Sequence, residues 1–159
     1  MGFTPKDEAW MRRALGLARL AASRGEVPIG AVVVVDGAQV GWGHDEKELR
    51  NLPTAHAELL AIERAARVHG DWRLDGATLY VTLEPCPMCA GAAIHARLGR
   101  LVFGASNPRW GACGAGGLDL PAMPRFNHRI ACEGGLLQAE SAALLRDFFQ
   151  QARRGRGKE

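Results

Sequence analysis

Two short runs of residues constrain the fold of this chain more than any other feature. Residues 53–58 read PTAHAE, and residues 84–89, about thirty positions later, read EPCPMC. Together they supply one imidazole, one carboxylate and two thiols, from His56, Glu58, Cys86 and Cys89. An imidazole and two thiolates are ligands that zinc prefers, and a catalytic zinc site leaves one position open. We therefore expect a fold in which the two runs meet around one ion.

The second run lies where a strand is expected to meet a helix. Residues 77–83 are rich in β-branched and aromatic side chains, which is typical of a buried strand. Pro87 suits the first position of a helix. Cys86 and Cys89 are three positions apart, so both can reach one ion from the start of that helix. The helix N-terminus favours the thiolate form that a metal requires.

The first run is expected to direct a histidine and a glutamate to different sides of a helix start. His56 and Glu58 are two positions apart, and such residues do not share a face of a regular helix. We predict His56 in the turn that enters the helix, Thr54 as its N-cap, and Glu58 directed toward the open metal position. Zinc with two thiolates and a neutral imidazole carries no net charge, so its water is less acidic than at a three-histidine site. Glu58 is the expected carrier of that water's proton.

Two other interpretations of these runs remain open from the residues alone. A strand followed by C-x-x-C at a helix start is also typical of a thioredoxin-like redox site. A structural zinc site would need a fourth protein ligand. The candidates for that ligand are Cys113, Cys132, His95 and His128.

Length and composition predict one globular domain, residues 1–159, in the cytoplasm. The chain has 159 residues, of which 47% are hydrophobic and 23% charged, enough for a hydrophobic core. Four cysteines, two of them assigned to the metal, do not make a disulfide framework. Charged residues interrupt the N-terminal segment, so no secretory signal is expected, and no stretch has the length of a membrane span.

The excess positive charge is confined to the C-terminal end. The net charge is +3. Residues 146–159 hold five basic and two acidic residues, which leaves fifteen of each sign in the rest of the chain. The five are Arg146, Arg153, Arg154, Arg156 and Lys158. Such an end can bind phosphates or can be a solvated helix end that aids solubility, and charge alone does not separate the two.

The remaining pattern predicts an α/β fold. Helices are expected over 4–25, 57–70, 87–96 and 138–151, and strands over 29–35, 39–45, 77–83, 100–104 and 129–132. Strands that alternate with helices after a hairpin at Asp36-Gly37 predict a mixed sheet of about five strands with helices on both faces. Residues 45–52 are expected to form a polar loop.

One segment, residues 105–128, is unusually rich in Gly and Pro. A structureless stretch of this length in a compact domain is usually functional or disordered. Trp110 and Phe126 are candidates to stack on a nucleobase, and the alternative is that they anchor the segment to the body of the protein.

The residues also carry a family resemblance. The runs at 54–58 and 82–92 resemble the zinc motifs of the cytidine deaminase superfamily. Within it, the chain is most similar to the bacterial tRNA-specific adenosine deaminases. The narrower likeness extends to the runs 94–97, 102–105, 127–129 and 142–149.

The resemblance implies a fold, a reaction and a set of roles. The implied fold is a three-layer α/β/α sandwich, and the implied assembly is a homodimer. The implied reaction is hydrolytic conversion of the wobble adenosine of a tRNA anticodon to inosine on a base that is flipped out of the loop. His56, Cys86 and Cys89 would hold one zinc ion, and Glu58 would shuttle protons.

Six further residues are candidate substrate contacts: Asp45, Asn107, Arg109, Phe148, Phe149 and Arg153. The family usually has Asn at position 45 and commonly Asp at position 107, so these two departures bear on substrate choice. The main alternative function is a deaminase of a free base or nucleoside, of the guanine or cytosine type. A non-enzymatic, zinc-stabilised binding module would not need a free carboxylate beside the metal.

Overall fold

A computed structural model describes residues 2–156 of the chain. Its strands are β1 (Gly30–Val35), β2 (Ala38–His44), β3 (Thr78–Leu83), β4 (Arg100–Ala105) and β5 (Ala131–Gly134). Its helices are α1 (Pro5–Ser23), α2 (Lys47–Arg50), α3 (Ala57–His69), α4 (Pro87–His95) and α5 (Gln138–Arg156). A short 3-10 turn spans Leu120–Ala122.

The strands form one mixed sheet in the order β2-β1-β3-β4-β5. Strand β1 is antiparallel to both β2 and β3, whereas β3, β4 and β5 run parallel. The prediction of a mixed sheet of about five strands is confirmed. Because β3 and β4 are parallel, the segments that follow them leave the sheet at the same edge.

The two faces of the sheet bury separate cores. Successive strand residues point to opposite faces, so neighbours in one strand serve different layers. Val33, Leu79 and Leu101 pack with residues of α3 and α4. Val32 and Tyr80, one position away in their strands, pack with residues of α1 and α5. The three-layer arrangement that the resemblance implies is therefore present.

Two glycines let α3 approach the sheet closely. A Cβ atom at Gly41 would clash with the carbonyl oxygen of Ala61, and one at Gly43 would clash with that of Ala57. Strand β2 and helix α3 therefore pack backbone against backbone, which side chains at these positions would prevent. This contact brings the first turn of α3 against the end of β2.

Three local predictions are corrected. Residues 45–52 are not all loop, because α2 forms within them where Glu26 accepts hydrogen bonds from the N–H groups of Glu48 (3.3 Å) and Leu49 (2.7 Å). Segment 105–128 is not structureless, since it contains the 3-10 turn and a bridge between Cys113 and Asp119. Helix α5 continues beyond residue 151 to Arg156. Within residues 2–156, no helix is both long and apolar enough to cross a bilayer.

A partly buried ion pair joins α1 to the start of β4. Arg100 donates two hydrogen bonds to Asp7, at 2.7 and 3.0 Å, and a third to Glu133 at 3.0 Å. Tyr80 also donates to Asp7, at 2.6 Å. The hydrogen bonds from Arg100 hold the pKa of Asp7 well below its usual range. This network lies at the end of β4 opposite to the edge where the two motifs meet.

Candidate active site

The two motif thiols lie at the junction between β3 and α4. Strand β3 ends at Leu83, and Cys86 is the N-cap of α4 with an extended backbone (φ −73°, ψ 172°). Pro87 occupies the first turn, as predicted, because its missing N–H is not needed there. Cys89 then lies in the first turn, completely buried.

His56 is the N-cap residue of α3. Its backbone is extended (φ −84°, ψ 148°), so it precedes the regular helix that carries Glu58. The prediction that His56 lies in the entry turn is confirmed. The prediction that Thr54 caps this helix is wrong. The capping carboxylate belongs to Asp45, whose Oδ1 accepts a 2.9 Å hydrogen bond from the N–H of Ala57.

The three donor atoms fit a tetrahedral metal ion. The Nδ1 atom of His56 lies 3.8 Å from the Sγ of Cys86 and 3.5 Å from the Sγ of Cys89. Bond lengths of about 2.1 Å to nitrogen and about 2.3 Å to sulfur at tetrahedral angles place the two atoms about 3.6 Å apart. Among residues 2–156, these three form the group of His, Cys, Asp or Glu side chains close enough to hold an ion.

The candidates for a fourth protein ligand lie elsewhere. The Nε2 atom of His128 is hydrogen-bonded to the carbonyl oxygen of Leu98 at 2.7 Å. Cys113 and Cys132 line a separate cavity. Within the described residues the group therefore offers three protein ligands, as a catalytic site does, and not the four of a structural zinc site.

The electrostatics of the two thiols are unequal. A hydrogen bond from the thiol of Cys89 lowers the pKa of Cys86 to about 4. The same hydrogen bond, together with burial, raises the pKa of Cys89. Cys86 is therefore a thiolate at neutral pH, and metal binding has to displace the remaining proton from Cys89.

Glu58 lies beside this group in the first turn of α3. It is 4% exposed. Burial, and next the negative charge of Asp45, raise the pKa of Glu58 to about 7. A carboxylate with a pKa near neutrality can both take up and release a proton under physiological conditions.

Asp45 lies in the wall of the site rather than at its rim. It is 1% exposed, and its Oδ2 atom accepts no hydrogen bond from the described residues. The amine of Lys47 approaches that atom only to 3.8 Å. Burial raises the pKa of Asp45 to about 6, although the hydrogen bond from Ala57 opposes this shift.

A cavity of about 730 Å³ opens above the His-Cys-Cys group. Its lining includes three of the four motif residues, His56, Glu58 and Cys86, and four of the six predicted substrate contacts, Asp45, Asn107, Arg109 and Phe149. The fourth motif residue, Cys89, is completely buried and does not line the cavity. Trp110 and Leu145 also line it, and Trp110 is 63% exposed. A volume of this size is typical of small-molecule binding sites.

Two predicted contacts do not reach the cavity. Phe148 is half-buried and packs edge-on against Phe149, with ring centroids 5.4 Å apart. Arg153 is exposed on α5, one turn beyond Phe149 and on the same helix face. Phe126 is half-buried and does not line the cavity either. Lys158, the last basic residue of the predicted tail, lies outside the described residues.

Glu84 is a site residue that the sequence analysis did not single out. It is 1% exposed, and its carboxylate accepts hydrogen bonds from the N–H groups of Asn107 (3.0 Å), Cys113 (3.0 Å) and Ala115 (3.2 Å). These bonds shape the segment after β4 into one wall of the cavity. The only available signal was its position immediately before the P-C-x-x-C run, which says nothing about partners so distant in sequence.

Asn107 forms the turn at that wall. Its side-chain oxygen accepts a 3.1 Å hydrogen bond from the N–H of Trp110, and its carbonyl oxygen accepts one of 2.8 Å from Gly111. The Asn107 side chain is thereby fixed within the turn, with its residue at the cavity surface. Arg109 and Trp110 are presented at the mouth by the same turn.

Comparisons with known proteins place the chain among the deaminases. The model of the MafB19-like deaminases matches residues 5–153. The tRNA-specific adenosine deaminase of Bacillus subtilis (strain 168) is 44% identical over 149 residues, which cover 94% of this chain and 92% of that protein. That of Haemophilus influenzae is 44% identical over 148 residues, which cover 92% of this chain and 85% of that protein.

Solved structures are also similar. One, from a study of A-to-I editing by tRNA deaminases at the wobble position of transfer RNA, matches with a TM-score of 0.82 and 44% identity. The match covers 86% of this chain and 99% of that one. A guanine deaminase from Nitrosomonas europaea matches with a TM-score of 0.75 and 26% identity, over 93% of this chain and 86% of that one.

Proposed function

The chain belongs to the family of tRNA-specific adenosine deaminases, and from that membership we propose that it converts the wobble adenosine of a tRNA anticodon to inosine. The observation that carries the proposal is a buried Glu58 beside a His-Cys-Cys group at the floor of a cavity of about 730 Å³. The net reaction takes adenosine and water to inosine and ammonia.

We propose zinc as the resident metal, held by His56, Cys86 and Cys89. The donor types and their separations support this assignment. When bound there, zinc supplies Lewis-acid activation of a water molecule. The open side of the group faces the cavity, where the target base would lie.

Glu58 moves the protons in this proposal. Its carboxylate accepts a proton from the attacking water and delivers it to N1 of adenine as the water oxygen bonds to carbon 6. It then carries the proton of the new hydroxyl on carbon 6 to the exocyclic nitrogen. The bond between carbon 6 and that nitrogen breaks, which releases ammonia and leaves the carbonyl of inosine. A pKa of about 7 for Glu58 suits both directions of transfer.

The rest of the cavity holds the substrate in place. Arg109 and Lys47 offer positive charge at the mouth for phosphates, and Trp110 and Phe149 offer exposed rings for bases. Leu145, Phe149 and Arg153 are spaced four residues apart on α5, so they share a face. Phosphates of the chain beyond the flipped base can follow that face toward the exposed Arg154 and Arg156.

The assembly and setting are also proposals. We propose a homodimer, since α4 presents small, half-buried residues, Gly91 and Ala92, against which a second subunit can pack closely. We propose that residues 1–159 act as one domain, since both helical layers pack on the same sheet. The cytoplasm, where tRNA is modified, is the proposed location, and the four free cysteines agree with it.

A substrate panel tests the function. The zinc-loaded protein is offered an anticodon stem-loop RNA with adenosine at the wobble position, and a matched RNA with adenosine moved to another loop position. Free adenosine, guanine and cytosine are offered separately. We expect inosine, detected by mass spectrometry of nucleosides, from the wobble RNA alone. Ammonia release from free guanine or cytosine without inosine in the RNA would contradict the proposal.

A further inference from the structure

A second cavity, of about 340 Å³, lies on the other side of the segment that follows β4. Ser106 lines both this cavity and the active-site cavity. Two cysteines that take no part in the proposed reaction, Cys113 and Cys132, line it together. Their meeting in space is not evident from their positions in the sequence.

The two cysteines come from elements that are otherwise joined only by non-covalent contacts. Cys113, 5% exposed, lies in the segment after β4, and its N–H donates to Glu84 at 3.0 Å. Cys132 is half-buried in β5, opposite Leu101 of β4. Cys132 packs against the buried core cluster that contains Cys113. Neither is in a disulfide.

The two thiols are expected to have different roles. Cys132 reacts first, as the nucleophile, and Cys113 follows, as the resolving thiol. The neighbouring thiol of Cys132, followed by burial, raises the pKa of Cys113, so Cys113 keeps its proton. Cys132 lines the same cavity and is the more exposed of the two. The more accessible sulfur reacts first with an oxidant, so we assign the first step to Cys132.

We propose that Cys113 and Cys132 form a reactive pair that hydrogen peroxide converts to an intramolecular disulfide. The sulfur of Cys132 attacks one peroxide oxygen and breaks the O–O bond, giving a sulfenic acid and water. The sulfur of Cys113 then attacks the sulfenic sulfur and forms the S–S bond, and the hydroxyl leaves as water with the proton of Cys113. The two thiols lose two electrons, and one peroxide becomes two waters.

The disulfide would tie a wall of the active site to the sheet. Cys113 belongs to the segment whose N–H groups bind Glu84, and Cys132 belongs to the edge strand β5. A sulfur–sulfur bond of about 2 Å would join two residues that already line the same cavity. The oxidised form therefore has a less mobile segment between residues 113 and 132.

Peptide mapping of the metal-loaded, full-length protein tests the pair. The protein is treated with a small molar excess of hydrogen peroxide, alkylated with iodoacetamide and digested with trypsin. Cleavage after arginine places the cysteines on three different peptides, 110–125, 130–146 and 74–97, the last with both metal ligands. We expect 110–125 linked to 130–146, released by dithiothreitol, and 74–97 unlinked. Separate recovery of 110–125 and 130–146, alkylated or as sulfinic acids, would overturn the proposal.

Single variants test the order of the steps. In Cys113→Ala, Cys132 should stop at the sulfenic acid and be captured by dimedone. In Cys132→Ala, Cys113 should remain a thiol that iodoacetamide labels after unfolding. Dimedone capture on Cys113 instead would contradict the assigned order. Amide exchange of the wild-type protein provides a readout without any variant, and the expected result is slower exchange over 114–122 after oxidation.

Discussion

Two carboxylates of this chain are equally buried but have opposite surroundings. Asp7 is 3% exposed and Glu58 is 4% exposed. Asp7 accepts two hydrogen bonds from Arg100, and its pKa is held well below the usual range. Within residues 2–156, no lysine or arginine forms an ion pair with Glu58, and burial raises its pKa to about 7.

The difference shows that burial alone does not decide whether a carboxylate stabilises the fold or takes part in proton transfer. A buried charge with a full set of donors stabilises the fold, because those donors replace the water it has lost. A buried carboxylate without a cationic partner has a raised pKa, so it can take up and release a proton near neutral pH. Asp7 and Glu58 lie at opposite ends of the sheet. The carboxylate of Asp7 therefore stabilises the fold at one end, whereas the charged form of Glu58 is destabilised by burial at the other.

The largest effect is expected at Glu58, where a substitution should abolish most of the activity without lowering the stability. Glu58→Gln keeps the shape of the side chain but removes the proton carrier, so deamination of the RNA substrate should fall by about 10³-fold or more. Zinc content, measured by atomic absorption, should not change. The midpoint of thermal unfolding should stay the same or rise, because a buried charge is lost.

Glu63→Gln is the matched control for that variant, since Glu63 is exposed on the same helix. It should leave the rate unchanged. A Glu58→Gln protein with full activity would remove Glu58 from the proposed mechanism.

The next largest effect is expected at Asp7. Here stability should fall and activity should not, which is the reverse of the result expected at Glu58. Asp7→Asn should lower the free energy of unfolding at pH 7 by about 2–3 kcal/mol, because Arg100 loses one of its two charged partners. Activity of the protein that remains folded should be unchanged. Urea unfolding of both proteins measures the difference, with Asp147→Asn, an exposed position on α5, as the control.

The pH dependence of that difference has a definite sign. The pKa of Asp7 is lowered in the folded state, so its contribution is present above the unfolded value of about 3.9 and is lost as the pH falls below it. The gap between wild type and Asp7→Asn should therefore be constant from pH 7 to about pH 5 and shrink at lower pH. A gap that grew on acidification would contradict the role of this ion pair.

A smaller effect is expected where Glu84 supports the cavity wall. In Gly111→Ala, the new Cβ would clash with the carboxylate of Glu84 and lie 2.5 Å from the carbonyl oxygen of Asn107. We expect a loss of about 1–3 kcal/mol in stability and a lower rate, because the wall must shift. Gly116→Ala in the same segment meets no atom within 4 Å and should be neutral in both assays.

The smallest effect concerns recognition at the mouth of the cavity. Phe149→Ala should raise the KM for the anticodon stem-loop about tenfold, in line with one lost base stack, and leave kcat nearly unchanged. Phe148→Ala, the neighbouring ring that does not line the cavity, should have the smaller effect on KM. Equal effects of the two variants would show that α5 acts through packing and not through contact.

The accuracy of the sequence predictions depended on the distance between the residues involved. The positions of His56 and Pro87 were correct, because each is decided within one turn of a helix start. The helix α2 and the cap of α3 were not, because their carboxylates, Glu26 and Asp45, come from distant segments. The roles of Arg109, Phe148, Phe149 and Arg153 stay predictions.

By itself, the sequence determined the donor set, the strand-to-helix junction of Cys86 and Cys89, and the alternation of strands and helices, since these follow from residue type and short-range periodicity. Only the tertiary structure decided which carboxylates are neutralised by partners and which are left to titrate near neutrality. It also decided that Glu84 holds a wall of the cavity and that Cys113 meets Cys132. The physical reason is that desolvation and hydrogen bonding depend on which distant segments pack together, and no local pattern encodes those neighbours.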